Sequence, residues 1–457
     1  MKQIVTVFFL LITLNAAAQS DNWQSLFDGK TLNGWKQVTG SASYTVKNGM
    51  IVGTTTAKSP NSFLACEKRF TGDFILEMEA MMTDTNTNSG VQFKSNFDAA
   101  ANNGKGLIYG YQYEFDPSVR KWTGGIYEEG RRSWLYPVSN NPKGQLFFSP
   151  NVFHKVRIEC IGNTVKTWLD DQPVSYLVDS LTANQGIIAL QVHGIGRPEH
   201  AGINIFWKNI RIQTKNIKPL AFPKGIYVVN LVANSLSGYE KESGWKLLFD
   251  GKSTDGWIGA YKKAFPDKGW AVKNGLLSVL PSNGDESANG GDIVTKQQYA
   301  AFDLSFDFKL SKGANSGFKY FVTLKENNSG SAIGLEYQLL DDNLHPDAKL
   351  GRDGNRTLSS LYDLIRAKKT ERYFSQPGNW NTGRVIVYPN NHVEHYLNGV
   401  KVLEYDRGSQ AFRDLVAQSK YKVWPGFGEA PKGHILIQDH GNGVSFRSIK
   451  IRELKSR

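Results

Sequence analysis

The sequence predicts an all-β protein made of two tandem copies of one two-sheet sandwich or jelly roll, with few short helices. Three observations lead there. The chain repeats itself once over about 200 residues, apolar and polar residues alternate with period two in both halves, and helical spacing is scarce. Forty-five glycines and a 12% aromatic content fit many short strands joined by tight turns.

The repeat is collinear. WQSLFDGKTLNGW at 23–35 returns as WKLLFDGKSTDGW at 245–257, identical at 8 of 13 positions. VKNG recurs at 46–49 and 272–275, and Asn88-Ser89-Gly90 is echoed by Asn315-Ser316-Gly317. GYQYEFD at 110–116 parallels GLEYQLLD at 334–341, TWLDDQPV at 167–174 parallels HYLNGVKV at 395–402, and GIIALQVHG at 186–194 parallels GHILIQDHG at 433–441. A solenoid unit would be far shorter, so each copy is a domain.

In chain order, residues 1–18 read as a secretory signal peptide: Lys2, an apolar stretch at 4–14, and Ala16-Ala17-Ala18 before Gln19. Export to the periplasm or the outside follows, with no lipid anchor and no membrane span expected. The first domain is set at 19–214, a connector at 215–243 and the second domain at 244–457. An apolar island at 226–232 suggests that the connector packs rather than swings freely. Residues 74–80 and 302–308 alternate as half-covered strands, and 156–159, 165–169, 385–388 and 393–397 continue the series. Short helical turns are expected at 359–367 and 410–419.

Composition excludes several classes. Charge is too low and aromatics too plentiful for a disordered chain. The net +12 is interleaved through both halves rather than gathered in a stripe, which argues against nucleic acid. Cys66 and Cys160 allow one disulfide at most, and two small buried hydrophobes explain them as well. There is no Gly-x-Ser-x-Gly elbow, phosphate loop or His-Glu-x-x-His helix. No cofactor is certain. Asp341, Asp342 and Asp116 are the carboxylates that would serve a divalent cation such as calcium, without EF-hand spacing.

Alternation places the candidate chemistry. Gln112, Glu114 and Asp116 share one strand face, and Glu336 and Gln338 share the matching face of the second half. Gln191 and His193 recur as Gln438 and His440, each His followed by Gly. A carboxylate with an imidazole suits proton transfer near neutral pH, and amides suit sugar hydroxyls. Trp122, Tyr127, Glu128, Arg131, Arg132 and Trp134 crowd one loop of the first half, where aromatic planes could hold sugar rings and guanidinium groups an oxyanion. In the second half Tyr362 and Asp363 occupy the comparable place. A solvated sheet face and a charged surface loop are the plain alternatives.

Together the Trp-x-x-Leu-Phe-Asp-Gly-Lys opening, Asn-Ser-Gly, Glu336-Tyr337-Gln338, Leu361-Tyr362-Asp363, Trp380-Asn381, Leu397-Asn398-Gly399, Gln438-Asp439-His440-Gly441 and Phe446-Arg447 closely resemble the 3-keto-disaccharide hydrolase family. That family is also described as 3-keto-glucoside 1,2-lyase/3-keto-2-hydroxyglucal hydratase domains. The resemblance spans nearly the whole mature chain as two copies, and implies a concanavalin A-like jelly roll acting on a small carbohydrate. Two departures stand out: Lys94 of the first half is Phe321 in the second, and Asp439 of the second is Val192 in the first.

The resemblance implies cleavage of 3-keto-glycosides by C2 proton abstraction, β-elimination and hydration. In the first half Glu114 or His193 is the expected base, with Arg131 or Arg132 and Lys94 at the enolate oxygen. Gln112, Gln191, Asp116, Trp122, Tyr127, Glu128 and Trp134 would bind sugar. In the second half Glu336 and His440 are the catalytic counterparts, and Gln338, Tyr362, Asp363 and Gln438 the ligands. The charged set favours the first half as the main active copy. A non-catalytic carbohydrate-binding protein and a conventional two-carboxylate glycosidase are the alternative readings.

Overall fold

A computed structural model describes residues 22–455 except 182 and 371–372. The expected signal peptide lies outside the described residues. Each copy is two facing sheets, so the chain is two tandem concanavalin A-like sandwiches. In the first copy a nine-stranded sheet centred on Phe74–Met82, His154–Ile161 and Asn204–Gln213 faces an eight-stranded one centred on Leu107–Phe115, Ser89–Asp98 and Gln185–Val192. In the second an eight-stranded sheet around Phe302–Leu310 faces a five-stranded one of order Trp257–Gly259, Ile293–Tyr299, Gly433–Ile437, Asn315–Val322, Leu335–Leu340.

Period-two alternation puts one set of side chains between the sheets. Phe74, Leu76 and Met78 enter the first core, and Phe302, Leu304, Phe306 and Phe308 the second. Burying such aromatic and aliphatic side chains contributes about 1.5–3 kcal/mol each, which fixes strand register. Phe306 lies flat on Phe318, 3.7 Å between centroids. The opposite faces of the strands are thereby turned outward, and the polar residues singled out by alternation ride on them.

Both cysteines are buried and free. Gln410–Ala417 is a helix capped by Ser409, as its spacing predicts. Residues 359–367 are not helical: Leu361 bridges Tyr337 and Ile365, and Asp363 takes φ 60°. The pull toward the neighbouring strand overrides the weak local helical preference.

The connector is packed. Val229–Asn230 adds a parallel strand to Gln172–Val178, and a short capped helix, Gly238–Glu242, sends Glu240 to Lys450 at 2.6 Å. Tyr227 bonds Ser305 at 2.9 Å under the Arg384 guanidinium, and Ser139 of the first copy donates to the Gly399 carbonyl of the second at 2.5 Å.

Candidate functional site

Three adjacent strands of the second copy converge on one cavity. In the register of Asn315–Val322 against Leu335–Leu340, Lys319 lies opposite Glu336 and Gly317 opposite Gln338. The third strand, Gly433–Ile437, ends at Gln438, whose N–H donates to the Gly317 carbonyl at 2.9 Å. Tyr337, Leu335 and Leu339 point into the core, so Glu336, Gln338 and Lys319 share the outward face. Gly317 permits this packing: a Cβ there would sit 2.2 Å from a Glu336 carboxylate oxygen. The cavity encloses about 260 Å³, and Glu286, Asn315, Tyr362, Lys420 and His440 are among the other residues that line it.

Glu336 is 4% exposed. Burial pushes its pKa up to about 7, with Lys319 and Lys420 opposing and Glu286 and Asp292 adding to the rise. That places a carboxylate at the balance point for proton transfer near neutral pH. The Lys319 ammonium is held by Ser331 Oγ (2.8 Å) and the Ala332 carbonyl (3.0 Å). Lys420 sits 4.3 Å over the Tyr362 ring, its pKa lowered by burial against the pull of Glu336. Glu286 is pushed up by burial but held below the usual range by Lys319, Ser331, His440 and Gln438. Gln338 Oε1, Gln438 Oε1 and His440 Nδ1 are buried without a partner among the described residues. Two unpartnered amide oxygens facing a cavity suit hydroxyl donors of a ligand.

Asp439 explains one departure between the halves. Its Oδ2 accepts from the Gly290 and Gly291 N–H groups (3.1 and 2.9 Å), its carbonyl from Ser287 N–H (2.8 Å), and its own N–H donates to Asp292. These bonds pin the loop that carries Glu286, which accepts from Gln438 Nε2 at 2.8 Å. The first copy has Val192 there.

The first copy keeps the framework and changes the chemistry. Gln92 lies opposite Gln112, and Gly90 opposite both Glu114 and Gln191. Gln92 therefore stands where Lys319 does, Gln112 where Glu336 does, and Glu114 where Gln338 does. The side chains bond one another in series: Ser95 to Gln92 (2.7 Å), Gln92 to Gln112 (2.6 Å), Gln112 to Glu114 (2.6 Å). Burial raises the Glu114 pKa to about 8, so it is protonated at neutral pH. His193 hydrogen-bonds the Gly194 carbonyl at 2.6 Å and lines a separate cavity of about 250 Å³ with Asp116, Arg120 and His200. Asp116 pairs with Arg120 at 2.9 Å.

Several candidates do not reach the Gln112–Glu114 face. Lys94 occupies a β-bulge at φ 49°, and its ammonium lies 6.0 Å from the Phe74 ring in the core. Phe321 takes the same bulge at φ 55°, so this departure is between two inward residues. Glu128 pairs in register with Tyr111 on the core side; it holds Arg132, which also binds Asp179 (2.5 Å), and Arg131 at 3.3 Å. Arg131, Arg132 and Lys94 are thus not assembled around Glu114. Tyr127, opposite Gln112 and Trp134, flanks the face, whereas Trp122 is buried edge-on to Trp134. In the second copy Asp363 does not line the cavity: it accepts from Arg356 Nε and from Lys420 N–H, fixing where Lys420 stands.

The carboxylates considered for calcium are engaged by protein donors. Asp341 accepts from Gly313 and Asn343 N–H groups, Asp342 from Leu358 N–H and Lys369, and Asp116 from Arg120. Among the described residues the metal-spaced group is His392, Glu394 and Glu404, where Lys401 already pairs both glutamates.

Alternation from Gly317 reaches Lys319 in one step of two, a signal that counting four onward to the bulge passes over. Glu286 comes from an aperiodic loop and Lys420 opens the one-turn 3-10 helix Lys420–Val423, and neither carries such a signal.

Comparison with known proteins adds a family. The family model of the 3-keto-alpha-glucoside-1,2-lyase-like domain matches residues 22–213 and again 244–452. A 3-keto-disaccharide hydrolase from Bacteroides thetaiotaomicron is 34% identical over 264 residues, 53% of this chain and 89% of that protein. Two crystal structures from Parabacteroides distasonis, of proteins provisionally named glycosyl hydrolases, are similar to parts of the chain. One is 30% identical at TM-score 0.42, covering 49% of this chain and 100% of its own. The other is 26% identical at TM-score 0.34, covering 46% and 99%.

Two predictions follow from the geometry. Folded Glu336 keeps its proton to about pH 7, whereas an unfolded glutamate loses it near 4.5. The folded state is then the better proton binder in that window, so this group's effect on stability worsens as pH rises through it and is complete above 7. Glu336→Gln is expected to raise unfolding stability by about 1–3 kcal/mol at pH 8 and to leave it nearly unchanged at pH 4. Denaturant titrations at both pH values check this; no gain at pH 8 would contradict it. Asp439→Val is expected to speed amide hydrogen exchange at Gly290 and Gly291 while core strands stay protected, and unchanged exchange there would refute the clamp.

Proposed function

We propose that this chain, which belongs to the 3-keto-alpha-glucoside-1,2-lyase-like family, is an exported enzyme that cleaves 3-keto-glycosides in the cavity of its second copy. The observation that carries the reading is a buried carboxylate poised near neutrality beside two ammonium groups. A ketone at C3 acidifies the C2 hydrogen, because the resulting carbanion delocalises into the carbonyl. Glu336 takes that proton, and its near-neutral pKa keeps a usable fraction ionised at pH 7. Lys319, which is buried, and Lys420, which is exposed to solvent at the cavity's edge, stabilise the enolate oxygen.

The enolate then re-forms the ketone as the C1–O1 bond breaks, its electrons leaving on the O1 oxygen. A proton delivered through His440, which lines the cavity, makes that oxygen an alcohol. The remaining ring is a 3-keto-2-hydroxyglucal. Water adds across its C1–C2 bond, hydroxyl to C1 and proton to C2, which completes a net hydrolysis. Gln338 and Gln438 supply the unpartnered amide oxygens that accept from sugar hydroxyls, and Tyr362 forms a wall. Export rests on residues 1–18.

The test is incubation of the purified protein with 3-keto-trehalose and with trehalose in D₂O. Turnover of the keto-sugar alone, with solvent deuterium at C2 of the product, is expected. The logarithm of kcat/KM should rise with unit slope below about pH 7 and level off above it, following ionisation of Glu336. Equal turnover of trehalose without deuterium at C2 would instead favour a two-carboxylate glycosidase.

A further inference from the structure

A second opening lies between the two copies, on the far side of the second sandwich from the cavity. Its floor is the outward face of Phe302–Leu310 and Asn381–Val387, whose other face is the core. The cavity of Glu336 opens on the opposite sheet, so the two do not share a wall of side chains. The groove encloses about 270 Å³, close to the 260 Å³ of that cavity. Trp134 of the first copy, Tyr227 of the connector, and Tyr373 and Trp380 of the second give it aromatic walls.

Its charges are already matched. Arg384 is held by both Asp303 oxygens at 2.7 Å, Lys450 by Glu240 at 2.6 Å, and Arg132 by Glu128 and Asp179. Asp307 takes Arg447 and the Thr382 hydroxyl. A charged ligand would find no uncompensated partner and would be disfavoured by its own desolvation. Two donors are left over. The Trp134 indole Nε1 and the Asn140 amide Nδ2 are buried without a partner among the described residues, and Asn140 is only 6% exposed. Both line the groove. Buried donors of this kind are costly unless an acceptor comes to them.

We propose that this inter-copy groove is a second, non-catalytic binding site for a neutral carbohydrate. Sugar rings join an apolar C–H face, which fits aromatic walls, to ether and hydroxyl oxygens that accept from Trp134 and Asn140. The groove is complete only when both copies are present, which gives the tandem arrangement a purpose that neither sandwich meets alone. The proposal stands whether or not the cavity performs the elimination.

Calorimetric titration of the full chain with unoxidised maltotriose, isomaltotriose and cellotriose tests it. At least one should bind saturably. Trp134→Phe keeps a ring and removes the indole donor; it should weaken that binding about three- to tenfold, as should Asn140→Leu. Gln438→Ala, in the cavity, should leave it unchanged. Each variant is first matched to the parent's melting temperature, and if Asn140→Leu fails that match, Trp134→Phe decides alone. Binding lost with Gln438→Ala and kept with Trp134→Phe would overturn the proposal, as would the absence of heat with all three sugars.

Discussion

Glu336 can sit beside Lys319 only because Gly317, on the same strand as Lys319, has no side chain where the carboxylate lies. From that close approach the rest follows. The glutamate is drawn out of water and becomes a poor acid, the lysines face it across a small cavity, and the amides around it keep acceptors unpaired. The sandwich supplies the rigidity. A core of stacked aromatics behind Tyr337 and Phe318 leaves these strands no freedom to slip by a residue and reverse their faces.

Duplication shows what that constraint is worth chemically. Gly90 repeats the role of Gly317, since a Cβ there would lie 2.4 Å from the Gln112 side chain. The first copy fills the same positions with Gln92, Gln112 and Glu114, which bond one another. Its carboxyl is moved one pleat along, has no ammonium opposite it, and is neutral at pH 7. The frame is kept while the charge pair is lost. The first copy instead contributes Trp134 and Asn140 to the inter-copy groove and, through Arg120, a 2.9 Å hydrogen bond to Tyr373 of the second.

Much of this was legible in the sequence, for a physical reason. Period two and a collinear repeat report which side of a strand is buried, so the all-β tandem fold and the outward set of Glu336, Gln338 and Gln438 could be read directly. Alternation fails at a bulge. Lys94 and Phe321 each sit in one, and both turn inward where simple counting puts them outside. Arg131 and Arg132 look free in the sequence, but Glu128 occupies them from the core side of its strand. The expectation that the first copy leads rested on those three cations together with Glu114, Asp116, Glu128 and the Gln191-x-His193 strand. Glu286 reaches the cavity from a loop and Lys420 from the start of a 3-10 turn, placed by Asp439 and Asp363 through contacts that no local pattern reveals.

The central claim is that the chemistry belongs to the Glu336 cavity and not to its counterpart. Turnover of 3-keto-trehalose by Glu336→Gln and by Glu114→Gln, each in the full chain, separates the two most directly. Loss of a proton-transfer base costs about 100- to 10,000-fold in rate. Glu336→Gln is expected to fall by that much while Glu114→Gln stays within about threefold of the parent. The reverse order, or an equal loss in both, would contradict the account.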